Sequence, residues 1–210
     1  MPTLAKRVVG GVLAVLGLVL TVIGLWYATH LGGSGTATFT ANPTATNPVL
    51  VPQTVLNRTD DLVTVRATPV PGGTVWMAAA SPSDAEAVVG KTAHTTVTGV
   101  DTRPWELRTE TGGSGATPPL SGTDVWRNTV TGEAGRAATM TIEQSNAPET
   151  VIVQAAKGGI QTIELTWERK SWFLQAVILA LVGLFLLLSG ASLLWSARPR
   201  RTTTTPEHSA

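Results

Sequence analysis

Residues 8–27, VVGGVLAVLGLVLTVIGLWY, and residues 172–195, WFLQAVILALVGLFLLLSGASLLW, decide the architecture of this chain. Neither run holds a charged side chain. At about 1.5 Å rise per residue, a helix over either run matches a hydrocarbon core of roughly 30 Å. Two transmembrane helices are therefore expected, over 8–28 and 172–196, packed as an antiparallel hairpin. Residues 1–7 and 197–210 form short tails, and 29–171 form one domain between the spans.

That middle segment is long enough to bury a core of its own. Charge predicts its side of the membrane. The tails hold Lys6, Arg7, Arg198, Arg200 and Arg201 against Glu207 alone, whereas the middle holds 10 basic and 13 acidic residues. Short basic flanks stay in the cytoplasm, so both termini are expected there and the middle segment outside. Arg169 and Lys170 argue the other way, but a domain this long translocates largely regardless of its charge. A cleaved signal peptide is the alternative for the first run, since Lys6 and Arg7 precede it. Its apolar length exceeds the usual stretch of roughly 7–15 residues, and Trp26 and Tyr27 stand where small residues should precede a cleavage site; both features favour an uncleaved anchor.

The chain has no cysteine, which excludes disulfides, thiolate metal sites and cysteine nucleophiles. Packing alone must hold the outer domain. Arginine outnumbers lysine 11 to 4 amid abundant Ala, Gly, Thr and Val, as in a GC-rich genome. A bacterial plasma membrane is the expected location.

Between the spans, short period-two segments dominate. Ala37, Phe39 and Ala41 alternate with threonines, and 62–66 reads LVTVR and 74–79 TVWMAA, separated by Pro69-Val-Pro-Gly-Gly73. Apolar alternation around a Pro/Gly turn predicts a hairpin. Further strands are expected over 137–143, 150–155 and 160–167, the last two joined in a second hairpin by Ala156-Lys-Gly-Gly159. One short helix follows from Ser81 as cap, Pro82 at the first position, Asp84 and Glu86 at the positive end and Gly90 as stop. Seven to nine short strands in this space predict an all-β domain, an antiparallel sandwich or barrel-like, with one short helix. The stretch from Gly112 to Gly122 is too polar and broken for a strand, and reads as a mobile spacer or a partner-contact loop. Leu31-Gly-Gly-Ser-Gly35 reads as a flexible linker, whereas Trp167-Glu-Arg-Lys-Ser-Trp172 leads the last strand almost directly into the second span.

Three features bear on function. Gly10, Gly17 and Gly24 recur every seven residues in the first run, and Ala176, Gly183 and Gly190 in the second. Seven residues is close to two helical turns, so each set forms a stripe that lets backbones approach closely. The stripes are expected to pack on each other; contact with a partner and chance in a glycine-rich chain are the alternatives. Trp26, Tyr27, Trp172 and Trp195 fall at the predicted boundaries of the bilayer, where amphipathic rings anchor. Thr21, Gln175, Ser189 and Ser192 are the polar groups in or near the spans, and none ionises, which argues against a proton relay or ion path.

The third feature is Gly99-Val-Asp-Thr-Arg-Pro-Trp-Glu-Leu-Arg-Thr109. Pro104 suits the start of a strand, with Trp105 and Leu107 on one face and Glu106, Arg108 and Glu110 on the other. Such a strand has a plain structural role. Alternatively Asp101, Arg103, Glu106 and Arg108 form an exposed ridge that docks a partner.

With Trp126, the threonine-rich strand at Ala137–Ile142 and the apolar strand at Val151–Ala155, the Asp101-Thr-Arg-Pro-Trp-Glu-Leu-Arg108 run resembles a group of small two-span actinobacterial membrane proteins of unassigned function. The resemblance covers about a third of the chain, from His94 to Trp167. Asn146-Ala-Pro-Glu149 and Lys157-Gly-Gly159 are loose counterparts of a turn and a glycine found in those chains. The resemblance implies a bacterial surface protein and supplies no catalytic residue.

Nothing else in the sequence points to catalysis. The histidines are His30, His94 and His208, none of them in a His-x-x-x-His pair, and no Gly-x-Ser-x-Gly elbow or phosphate-cradling glycine loop is present. Asp60-Asp61 reads as a solvated turn, a paired-carboxylate hydrolase being the remote alternative. No cofactor, metal or nucleic acid is expected; the partners are the lipid bilayer and other integral membrane proteins. The tail's arginines suit anionic lipid, and its threonines beside them suit a basophilic kinase. The expected function is a non-catalytic accessory or scaffold subunit of a cell-envelope membrane complex. The alternative is a ligand-binding or sensor module for an envelope polymer or lipid, with Trp76, Trp105 or Trp126 lining its site.

Overall fold

A computed structural model describes residues 3–43, 46–58, 62–143 and 148–196. Asp60, Asp61, the turn around Asn146 and the tail with His208 lie outside the described residues. In chain order the elements are α1 (Thr3–Leu31), β1 (Thr36–Ala41), β2 (Val49–Val51), α2 (Gln53–Leu56), β3 (Val63–Pro69), β4 (Thr74–Ala80) and α3 (Pro82–Val89). Then follow β5 (His94–Asp101), β6 (Glu106–Gly112), β7 (Asn128–Gly132), β8 (Ala138–Ile142), β9 (Thr150–Lys157), β10 (Ile160–Glu168) and α4 (Lys170–Ser196). They fall into a helical unit, α1 with α4, and a β unit over Thr36–Arg169.

In the helical unit both helices outrun their apolar stretches, taking in Lys6, Arg7 and Lys170, because backbone hydrogen bonding does not stop where hydropathy does. Gly32 ends α1: at φ +60° its N–H donates to the Ala28 carbonyl over 3.2 Å, a left-handed cap that glycine adopts without steric cost. Val12, Val15, Leu181, Phe185 and Leu188 are exposed on the flanks. Both helices are long and apolar enough to cross a membrane.

The β unit is one ten-stranded sheet in the order β7-β4-β9-β2-β5-β6-β1-β10-β3-β8, curled into a near-barrel. Its first and last strands, β7 and β8, are joined by the turn 133–137, in which Ala134 and Gly135 take positive φ. Most neighbours are antiparallel, but β1 meets β6 and β2 meets β5 in parallel, so the sheet is mixed where an antiparallel one was expected.

The two predicted hairpins do not form. β3 pairs with β10 and β8, and β4 with β7 and β9; β9 pairs with β2 and β4, and β10 with β1 and β3. Pro69-Val-Pro-Gly-Gly73 and Lys157-Gly-Gly159 are therefore arches that carry the chain from one part of the sheet to another. They lie side by side, with Val70 N–H donating to the Gly159 carbonyl over 3.0 Å, and the first also accepts at the Gly73 carbonyl from Gly135 N–H of the β7–β8 turn over 2.9 Å. The hairpin that does form is β5–β6.

Two apolar layers hold the sheet. Val63 and Val65 on β3, Ile163 and Leu165 on β10, and Phe39 on β1 are buried and alternate with half-buried or exposed polar residues. On β4, however, Val75 through Ala80 are all buried, and the period-two signal disappears. Trp76 and Ala78 of β4, Leu50 of β2 and Ile152 of β9 meet Ala85 and Val89 of α3 and Leu120, forming a second layer on one face of the sheet.

α3 forms as its capping residues direct: the Ser81 hydroxyl accepts from Asp84 N–H at 3.1 Å, and Gly90 N–H donates to the Glu86 carbonyl at 2.8 Å. The one-turn α2 and a 3-10 turn at Leu120–Gly122 are additional. The stretch Gly112–Gly122, read as a spacer or partner loop, falls mostly in the segment 113–127, which is a strap over the second layer. Leu120 is fully buried, Leu120 N–H donates to Gln154 Oε1 over 3.2 Å, and Trp126 Nε1–H donates to the Leu120 carbonyl over 2.7 Å.

Candidate functional site

The small-residue stripes meet. A Cβ built on Gly10 would stand 3.0 Å from the Gly190 carbonyl oxygen, one on Gly17 2.6 Å from that of Gly183, and one on Gly24 2.8 Å from that of Ala176. The pairs advance along one helix as they retreat along the other, so α1 and α4 are antiparallel. Backbones this close exclude any side chain larger than hydrogen at Gly17 and Gly24. Thr21, beside this seam, donates its hydroxyl to the Gly17 carbonyl over 2.7 Å, which satisfies it within its own helix.

The boundary aromatics occupy the helix ends. Trp26 and Tyr27 meet edge to face at 4.9 Å near the C-terminal end of α1, and His30 lies 4.4 Å from the Trp26 ring. Trp172 is half-buried near the N-terminus of α4, and Trp195, at its other end, is exposed.

In the β unit the four charged residues singled out from the sequence come together on the β5–β6 hairpin. Asp101 and Glu106 are cross-strand partners at its tip, and Arg108 lies opposite Gly99. Arg103, in the turn, donates its backbone N–H to Asp101 Oδ1 at 3.2 Å. All four side chains are exposed. No ion pair joins them among the described residues.

The strand was expected to start at Pro104; it starts at Glu106, and Pro104 and Trp105 complete the turn. Trp105 adopts φ +58°, a left-handed conformation that costs a bulky residue about 1–2 kcal/mol. Tertiary contacts hold it there: its ring lies 5.0 Å from that of Phe39, which in turn lies 5.7 Å from Trp167, and its carbonyl accepts from Thr40 N–H at 3.2 Å. The charged tip is thus fixed to β1. Leu107 is buried and Arg108 exposed, as the alternation predicts.

The sequence reading missed Arg58. Trp167 Nε1–H donates to the Leu56 carbonyl at 3.3 Å, which positions the end of α2 and the residues after it. A Cβ on Gly99 would lie 2.9 Å from an Arg108 terminal nitrogen and 3.4 Å from one of Arg58, so the two guanidinium groups share one patch of the sheet surface. Some 50 positions separate them in sequence, and no local pattern could join them.

The rings proposed to line a ligand site are placed as follows. Trp76 is buried, and it meets Trp126 edge to face at 5.4 Å. Trp126 commits its N–H to the strap, and Trp105 is half-buried. His94 Nδ1 lies 2.8 Å from the Thr92 carbonyl. No group of three His, Asp or Glu side chains with metal-binding geometry occurs among the described residues. No protein-family model matches the chain, and comparison with curated proteins finds no significant match.

Proposed function

We propose that the chain is a non-catalytic accessory or scaffold subunit of a bacterial cell-envelope membrane complex, whose β unit stands outside the plasma membrane and whose termini remain inside. The rigid charged tip carries this reading. Asp101, Arg103, Glu106 and Arg108 are exposed on a hairpin locked to β1 through Trp105, and none is spent on an ion pair with another. Charges carried on a fixed hairpin and not paired with one another suit a partner's complementary charges, which fix register and orientation more than raw affinity. The helical unit supports the same reading: its small residues face inward, leaving broad apolar flanks for lipid and neighbouring spans.

The sensor alternative draws less support, because Trp76 lies in the second apolar layer and Trp126 bonds the strap that closes it. The test is purification of the full chain from native membranes in mild detergent after crosslinking. Other integral membrane proteins are expected in constant ratio, and their recovery falls when Asp101 and Glu106 are both changed to Lys. A lone monomer without crosslinks refutes the reading.

A further inference from the structure

We propose that Arg58 and Arg108 form a receptor for a phosphate group. Both guanidinium groups converge over Gly99. Gly99 is buried, whereas Thr98 before it and Asp101 two positions on are exposed, and nitrogens of both arginines stand over it. A register shift between Val97 and Gly99 marks a bulge in β5 that turns Gly99 to the face of Arg108. Neither guanidinium has a carboxylate within 4.0 Å among the described residues. Glu106 and Glu110, two positions either side of Arg108, share its face but do not neutralise it.

Two like charges meeting on one point, with no carboxylate paired to either among the described residues, leave an electrostatic deficit that an anion relieves. A carboxylate has two oxygens and is matched by one arginine fork. Two forks aimed at one point suit a tetrahedral phosphate, which offers more acceptor oxygens and up to two charges. The acidic neighbours keep the affinity low, about millimolar. The group is carried either by a soluble phosphoester or by a phospholipid headgroup, and recognition is the same. This site needs no protein partner, so it stands or falls separately from the scaffold reading, with which it shares only Arg108.

The experiment uses the full chain in phosphatidylcholine nanodiscs, with the arginine Nε–H signals followed by NMR as inorganic phosphate is added. Saturable shifts are expected for Arg58 and Arg108 together. R58Q and R108Q should each weaken binding about tenfold or more. R66Q, which breaks the exposed Arg66–Glu164 pair at 3.8 Å, should leave binding unchanged. Gly99→Ala should weaken it as well, because the added methyl enters the space that the guanidinium groups share. Glycerol phosphate shifting the same signals identifies a soluble source; phosphatidylglycerol in the disc shifting them without added phosphate identifies a lipid source. Shifts that persist in R58Q, or none with any of the three probes, overturn the proposal.

Discussion

Gly17 of α1 and Gly183 of α4 face each other so closely that a Cβ on Gly17 would stand 2.6 Å from the Gly183 carbonyl oxygen, and one on Gly183 2.8 Å from that of Gly17. The crowding is backbone against backbone, so no rotamer relieves it. Gly17→Leu should therefore cost about 1–3 kcal/mol of helix pairing. The absence of native cysteine gives a clean assay. The Cβ position of Gly10 lies 3.1 Å from Cβ of Leu193, a small adjustment from disulfide geometry, so a G10C/L193C chain should oxidise to an intramolecular bond. Adding Gly17→Leu should slow that oxidation roughly tenfold, and Gly11→Leu, which meets open space, should not. Equal rates would show that the pairing does not depend on this contact.

Leu120 plugs the strap 113–127 onto the second apolar layer and is fully buried. Leu120→Ala removes that plug and should destabilise the β unit by about 2–4 kcal/mol. Trp126→Phe keeps most of the ring but loses the 2.7 Å bond to the Leu120 carbonyl, and should cost about 1 kcal/mol. Both losses are read by denaturant unfolding of the full chain. Proteolytic nicking within 113–127 should increase in the same order, Leu120→Ala before Trp126→Phe. A strap that is nicked equally in all three chains would not be held by these contacts.

How much of this was legible in the sequence follows the range of the interactions. The helices and the strands with one polar face announce themselves through local periodicity, as at Val63, Val65 and Ala67. β2 does not, because Val49, Leu50 and Val51 are all buried and three residues carry no alternation. β7 does not either, since Asn128, Thr129 and Thr131 are exposed and only Val130 is apolar within it. The Pro-Gly-Gly and Lys-Gly-Gly turns mark where the chain bends, but the partner of each strand is chosen by non-local packing, and both turns proved to be arches. At the charged tip the local motif groups four residues that lie exposed together, although the hairpin that carries them was not predicted, whereas Arg58 reaches it only through the fold.

Topology is tested by single cysteines in the cysteine-free chain. Thr109→Cys, at an exposed position on β6, should react with a membrane-impermeant maleimide on intact cells. Thr203→Cys, in the basic tail, should react only after the membrane is permeabilised. The reverse pattern would invert the orientation inferred from Lys6, Arg7, Arg198, Arg200 and Arg201 and would place the β unit in the cytoplasm.

Trp105 offers a substitution whose sign is unusual. At ordinary negative φ, alanine is normally the better replacement for a large residue, because glycine leaves the unfolded chain more freedom. At φ +58° the order reverses, since alanine retains the Cβ that disfavours the left-handed region and glycine does not. Both replacements lose the stacking against Phe39, so both should destabilise the β unit, by about 3 kcal/mol or more for alanine. Trp105→Gly should nevertheless be the more stable of the two by about 1 kcal/mol, measured as a difference in denaturant midpoint at unchanged slope. If alanine proves the more stable, the turn does not hold this residue in the left-handed conformation, and the rigid presentation of Asp101, Arg103, Glu106 and Arg108 loses its structural basis.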